Sequence, residues 1–225
     1  GLFIGQHAGG GKAEQIFLRG FDIDHGTDIT IAVDGMPVNM VSHAHGQGYA
    51  DLHFLIPETI QNIDFGKGPY YTDQGNFNTA GYVEFKTKDK LEQSRFGMEF
   101  GQFNTFRTYG LFDLLKNVEN QHAYIATEYQ LTDGPVESPQ NFKRFNIMGK
   151  YTIQMNGNDR LSVLFSRFQS KWDASGQIPQ RLVDNGTISR FGFVDNTEGG
   201  NTSRTNIAID HTKSINPSTF VRTKA

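Results

Sequence analysis

The residues best suited to chemistry are histidines. His43-Ala44-His45 sets two imidazoles two positions apart, and Asp51 and His53 follow closely. A His-x-His pair can offer two nitrogens to zinc, copper or nickel if the backbone bends suitably, with His53 or Asp51 completing the set. The same side chains could instead hydrogen-bond their own loop or meet the acceptors of an organic ligand. Tyr49, Tyr70 and Tyr71 read as aromatic walls for a chelate or sugar, or as interface packing. Asp22, Asp24 and Asp28 lack the twelfth-position Glu of an EF-hand and read as a polar turn. Residues 5–12 invite a phosphate-loop reading. It fails because Gln6 stands where the first glycine is needed and Ala13 follows Lys12 where Ser or Thr should hold magnesium. The histidine spacing is not that of a binuclear zinc hydrolase. The chain also has no Gly-x-Ser-x-Gly elbow and no close carboxylate pair beside a base. The expectation is a protein that is not an enzyme.

Composition narrows the class of elements that must carry these residues. The chain has 225 residues, net charge −3, no cysteine, 36% hydrophobic residues, 19 Phe and 25 Gly. No basic field argues for nucleic acid, and without cysteine there is neither a disulfide scaffold nor thiol chemistry. No apolar run approaches the ~20 residues of a membrane helix. Few aliphatics with many aromatics and glycines suit strands that each keep one wet face. Gly1-Leu2-Phe3-Ile4 opens without a signal peptide and reads as the interior of something already begun.

Up to residue 88 the grammar is mixed. Ile16–Arg19 and Ile29–Val33 read as strands, the second ending at the turn signal Asp34-Gly35. Residues 38–53 show no period and read as a loop. Asp51 to Ile63 reads as a short helix, with Pro57 near its start and Glu58 in its first turn. Ile60, Ile63 and Phe65 form a short buried strand stopped at Gly66-Lys67-Gly68-Pro69. Residues 70–81 form a second loop, before the strand Tyr82–Thr87.

From residue 92 the pattern becomes strand, turn, strand. Phe145, Ile147, Gly149, Tyr151 and Ile153 alternate with Arg144, Asn146, Lys150, Thr152 and Gln154. Phe96, Met98 and Phe100 repeat the alternation, as do Ile125, Thr127, Tyr129 and Leu131, then Leu161, Val163 and Phe165, then Ile207 and Ile209. Period 2 sends alternate residues to opposite faces, and runs of about 9–11 residues can cross a bilayer as tilted strands. The connections 115–120, 154–159 and 214–218 are short, while 132–142 is longer and 171–203 very long. Short turns at one end with long loops at the other mark outer-membrane barrels. The tight hairpin at 102–105 is the exception. Six strands and the start of a seventh at Thr219 are expected. A soluble antiparallel sandwich or carbohydrate-binding module alternates in the same way, so periodicity alone leaves both open.

Four ordered blocks decide between them. Arg19-Gly20-Phe21, Val33-Asp34-Gly35-Met36-Pro37-Val38, Ile60 to Pro69, and Gly81 to Lys88 together resemble the plug domain of TonB-dependent outer-membrane receptors. The resemblance implies an α+β plug over residues 1–88, followed by antiparallel transmembrane β-barrel strands over 89–225, an incomplete barrel of about six to seven strands. Family barrels close with about 22 strands around a plugged lumen. It further implies an outer-membrane receptor that binds a scarce extracellular ligand (a siderophore or other metal chelate, a metal ion, another nutrient) and imports it with energy from TonB, ExbB and ExbD, engaged through a segment upstream. No cofactor is required beyond a transition metal or chelate as cargo. His43, His45, Gln47 and Tyr49 would stand on an apical plug loop and Tyr70 and Tyr71 on another, with His43, His45 and His53 as the candidate metal set. Arg19 and Lys67 would latch the plug to barrel glutamates, Lys67 more weakly because lysine lacks the bidentate fork.

Overall fold

The computed structural model describes residues 2–6, 10–23, 25–76, 78–157 and 159–225. Residues 7–9 of the phosphate-loop-like stretch and Asp24 of the acidic turn lie outside the described residues.

Two small sheets form the first part of the chain. One is β1 (Leu2–Gly5), β2 (Gln15–Leu18) and β3 (Phe21–Ile23), paired antiparallel in that order. The polar turn expected from Asp22 is therefore partly strand. The other sheet uses β4 (Ile29–Val33), β5 (Met36–Pro37), β6 (Ile60–Lys67) and β7 (Gly81–Thr87) in the order β5-β4-β7-β6. Here β4 and β7 run parallel, and β6 is antiparallel to β7. Arg19-Gly20 and Asp34-Gly35 both carry two successive positive φ angles. That is the two-residue hairpin whose twist matches the flanking strands, and it explains both dipeptides. The two sheets close over a common core that includes Ile16, Leu18, Ile29, Ile31, Val33, Leu52, Phe54 and Val83.

The helix expected over 51–63 does not form. A single 3₁₀ turn, Pro57–Thr59, is all that is helical there. Residues 50–56 are buried but irregular, with a tight turn closed by the Leu55 N to Leu52 O bond, and Ile60 onward pairs with β7. Burial of Leu52, Phe54, Leu55 and Ile56 on different sides of the segment and ladder bonding outweigh the local helical preference. Strand β6 is also less buried than the sequence suggests. It lies at the sheet edge, with Ile63 and Phe65 exposed.

The remaining strands make one antiparallel sheet of seven in sequential order: β8 (Arg95–Gly101), β9 (Thr105–Asp113), β10 (Gln121–Thr132), β11 (Phe142–Gln154), β12 (Arg160–Ala174), β13 (Glu198–Asn216) and β14 (Thr219–Lys224). The long connection is shorter than the sequence implied. β12 and β13 stay paired up to Ala174 and Glu198, and a five-residue helix, α1 (Gln180–Asp184), lies in the loop they leave.

The polarity of this sheet is inverted relative to a soluble one. Asn146, Lys150, Thr152, Ser162, Ser166 and Ser170 are buried, whereas Phe96, Phe100, Phe145, Phe165 and Ile207 are exposed. The polar face covers the two small sheets, and Phe168 enters their core. The outward apolar band climbs obliquely. It reaches Phe100 and Phe106 on β8 and β9 but ends at Phe145 on β11 and Phe165 on β12, which are not cross-strand partners. A level band crossing tilted strands gives this slant. A sandwich would turn the Phe and Ile side chains against a second sheet. These face outward, and the arrangement is an open arc of barrel wall around a plug.

Candidate functional site

The plug has two ends, distinguished by what binds there. At one end, Asp34, Thr87 and Asp89 meet Lys150 and Arg160, beside the short turn joining β11 and β12. The opposite end carries the starts of β4 and β7, the end of β6 and the loops around them, and it faces the long connections. The apical residues lie there, held by backbone bonds from Gly26 N to Gln47 O and from Ala80 N to Asp28 O. Asn39 fixes the first apical loop by bonding Ile29, Ile31 and Gly48 backbone. Gly48 has φ +81°, and a Cβ there would fall 1.8 Å from the Gly26 carbonyl oxygen, so only glycine fits.

On this loop His43 stacks on Tyr49 at 4.2 Å, and His45 packs edge-on to His25 at 4.9 Å. The His45 amide donates to His43 Nδ1 (3.1 Å). His43, His45 and Gln47 are exposed, while Tyr49 is half-buried and its hydroxyl accepts from the Ala13 amide. Nothing in the spacing joins His25 to this group; the Gly26–Gln47 bond brings it in. Tyr70 is fully outward, and Tyr71 packs against Tyr82 at 4.9 Å.

The proposed metal set does not converge. His53 is buried with Glu14 and Asp51, and these three are the only metal-capable group of His, Asp or Glu ligands found among the described residues. His43 and His45 stay on the surface. The reason is packing: the chain turns inward at Ala50, carrying His53 between Phe142 and Phe168 of the wall. His53 Nδ1 faces Asp51 Oδ1 at 2.8 Å, and Nε2 faces Glu14 Oε1 at 3.5 Å. Burial pulls the imidazole pKa down and Arg144 adds to that, but the Asp51 hydrogen bond and the charges of Glu14 and Asp51 outweigh both. The net shift is upward from 6.5. This is an ionic joint inside the plug, clamped to the wall where Asn146 Nδ2 donates to the His53 carbonyl at 2.8 Å.

The polar contacts between the plug and these seven wall strands do not involve Arg19 or Lys67, whose glutamate partners the resemblance places on further wall strands. Arg19 and Lys67 are exposed and make no ion pair among the described residues; Arg19 instead lies over the Gly68 turn. The observed connections use a plug carboxylate and wall cations. Glu58 receives two bonds from Arg107, at 2.6 and 2.8 Å. Arg107 also donates to the fully buried Glu128 at 2.6 Å, which Arg144 and Asn146 bond as well. Burial would raise the Glu58 carboxyl, but Arg107 overrides it and holds the pKa below the usual carboxylate range. Nearer the short turns, Lys150 Nζ donates to Thr87 Oγ1 (2.8 Å), Thr87 O (3.2 Å) and Asp34 Oδ2 (3.2 Å). Lys150 and Arg160 likewise hold Asp89 below its usual value against the opposing effect of burial. Further up, Arg204 donates to the Pro37 and Val38 carbonyls and lies 4.7 Å over Phe54. One signal for these contacts was in the sequence: charged residues such as Lys150 sit on the otherwise small-polar face of wall strands, where a buried charge needs a partner.

A plug lodged against the polar face of an outward-apolar, tilted, antiparallel wall defines the class of fold: a plug domain with an arc of β-barrel wall. Residues 1–82 match the family model TonB-dependent Receptor Plug Domain. That match covers the plug segment, and the strands that follow have the fold of the barrel wall in the solved structures that superpose on this chain. Among solved structures, the copper transporter OprC superposes with a TM-score of 0.71 at 14% identity, covering 100% of this chain and 32% of that one. The closed form of the ferric-catecholate import receptor Fiu from E. coli gives 0.69 at 15% identity, with 99% and 32% covered. The pyoverdine outer membrane receptor FpvA from Pseudomonas aeruginosa gives 0.64 at 14%, with 94% and 31% covered. The chain thus spans about a third of the length of the solved structures it matches.

Proposed function

We propose that this chain belongs to an outer-membrane import receptor that captures a metal chelate at the long-loop end and passes it inward when TonB, with ExbB and ExbD, pulls on the plug. The observation that carries this is the plug's seat. The plug sits on the wall's polar face through ion pairs and hydrogen bonds, which can be remade with water as it moves, and the apolar contacts beside them are few among the described residues: Phe168 of the wall enters the plug core, and Ile56 of the plug packs with Leu111, Tyr124 and Met148 of the wall. The apical His43, His45, Gln47, Tyr49, Tyr70 and Tyr71 offer imidazole, amide and phenol groups to the periphery of a chelate, and His25 joins them. The similar structures are described as a ferric-catecholate import receptor, a pyoverdine receptor and a copper transporter, which supports a metal-bearing cargo. Arg19 and Lys67 are left as latches to wall strands other than these seven.

The test is uptake by the full-length protein in a Gram-negative host stripped of its own metal receptors, supplied in turn with ferric catecholates, ferric pyoverdine, copper and zinc. Uptake of one of these should require TonB and fall severalfold in a His43→Ala/His45→Ala variant. Transport that persists without TonB would overturn the energised reading. A copper or zinc signal alone would favour a bare metal ion, for which the paired His25 and His45 rings are the supporting feature.

A further inference from the structure

His53 is buried in the plug with a carboxylate toward each ring nitrogen, and the two nitrogens are not equivalent. Asp51 Oδ1 accepts from both the His53 amide and Nδ1, each at 2.8 Å. An ionised carboxylate only accepts, so a neutral ring carries its proton on Nδ1 and turns the Nε2 lone pair the other way. Nε2 faces Glu14 Oε1 at 3.5 Å, which is longer than a nitrogen–oxygen hydrogen bond. The other Glu14 oxygen, Oε2, accepts from the Leu52 amide at 3.3 Å, and this holds the carboxylate in place beside the ring. Two ligands of a tetrahedral zinc ion, each at about 2.1 Å, stand about 3.4 Å apart. The separation of Nε2 and Oε1 matches such a pair. An acid on the far nitrogen of a metal-binding histidine is also the arrangement that fixes its tautomer and orientation. One ligand atom each from Glu14, Asp51 and His53 lie within 4.8 Å of one another. Phe142 and Phe168 flank the ring, while the Glu14 side chain keeps 18% of its surface exposed and gives water and ions a way in. The wall cations Arg144 and Arg204 are bonded elsewhere, to Glu128 and Gln130 and to plug carbonyls.

We propose that His53 Nε2 and Glu14 Oε1 bind a divalent transition-metal ion of the zinc class, with Asp51 orienting the ring and water filling the remaining positions. The ion takes the place of the proton that otherwise makes His53 an imidazolium, and that proton leaves to solvent. Two carboxylates with an imidazolium carry a net charge of −1; with a neutral imidazole and a divalent ion the group is neutral, which suits its burial. The nitrogen donor favours zinc and its neighbours over magnesium, which takes oxygen ligands. The ion ties the chain just before β2, where Glu14 lies, to the segment that turns inward at Ala50. The site is separate from the exposed His43 and His45, and it does not depend on what the receptor imports.

The experiment uses the full-length receptor in mild detergent, carrying His43→Ala/His45→Ala to remove the exposed pair, stripped with a chelator and titrated calorimetrically with zinc chloride. This parent should bind zinc, and adding either E14Q or H53Q should weaken that binding about tenfold or more. Heat-modifiable gel migration reports whether each variant is folded. A parent that binds no zinc overturns the proposal, and so does unchanged affinity in a folded E14Q or H53Q variant. X-ray absorption at the zinc edge of the parent should show one imidazole among oxygen ligands. A shell of oxygen alone, or of several imidazoles, overturns the proposal even if both substitutions prevent folding. Displacement of the zinc by an excess of magnesium would mark a carboxylate-only site and would equally overturn it.

Discussion

Lys150→Met removes a wall cation while nearly preserving its side-chain volume, and so isolates its hold on the plug. Lys150 is almost fully buried and gives two bonds to Thr87 and one to Asp34. After substitution Asp34 keeps the Thr87 amide (3.0 Å) and hydroxyl (2.5 Å), and Asp89 keeps Arg160 at 2.6 Å. The loss therefore falls below that of stranding a wholly unpaired buried charge. The Thr87 carbonyl loses its lysine partner, and a partly exposed carboxylate loses its counter-charge. Together these cost about 2–3 kcal/mol. At 1.4 kcal/mol per decade that is roughly a 30- to 140-fold rise in plug opening. Hydrogen exchange read by mass spectrometry in the full-length receptor should show β4 and β7 exchanging faster by this factor, while β10 and β11 barely change. Acceleration below about threefold in β4 and β7 would sink the reasoning, as would an equal acceleration in the wall strands.

The joint at His53 should depend on pH in a definite sense. Its pKa is raised on folding, so its stabilising contribution is complete below the unfolded value of 6.5 and is lost as pH rises through the higher folded value; the melting-temperature gap between wild type and His53→Gln should therefore be larger at about pH 6 than at about pH 9, and a gap that does not change with pH would count against the charged imidazole. Nitroxide labels at Ile147 and Tyr151 in the full-length protein should be quenched by lipid-soluble oxygen rather than by aqueous nickel chelates; aqueous quenching at both would contradict the outward band. Gly48→Ala should push the first apical loop off the Gly26 carbonyl and weaken cargo binding without lowering barrel stability, measured by ligand titration beside heat-modifiable migration.

How much was legible depended on range. The alternation of Phe145, Ile147 and Tyr151 against Asn146, Lys150 and Thr152 is a property of consecutive residues, and such runs made six strands and the start of a seventh legible in the sequence. The hairpins at Arg19-Gly20 and Asp34-Gly35 were equally local, since two left-handed residues in a row make that turn wherever they occur. The ordered blocks from Arg19 to Lys88 carried the plug resemblance. The helix expected at 51–63 failed because local preference there is weak and the segment buries Leu52, Phe54 and Leu55 in one apolar cluster and Ile56 in another, which a single helical face cannot do.

What period and spacing could not supply is which residues meet across the chain. Lys150 finds Asp34 at a separation of 116 residues, and Glu58 finds Arg107 at 49. His53 leaves its sequence neighbours His43 and His45 to join Glu14 and Asp51. The sequence by itself determined an alternating wall and a turn-rich plug, because strand periodicity and hairpin chirality are set by bonds a few residues apart. Only the tertiary structure decided which charges hold the plug and which histidines face outward, because the desolvation that makes a buried charge seek a partner exists only once the two bodies close on each other.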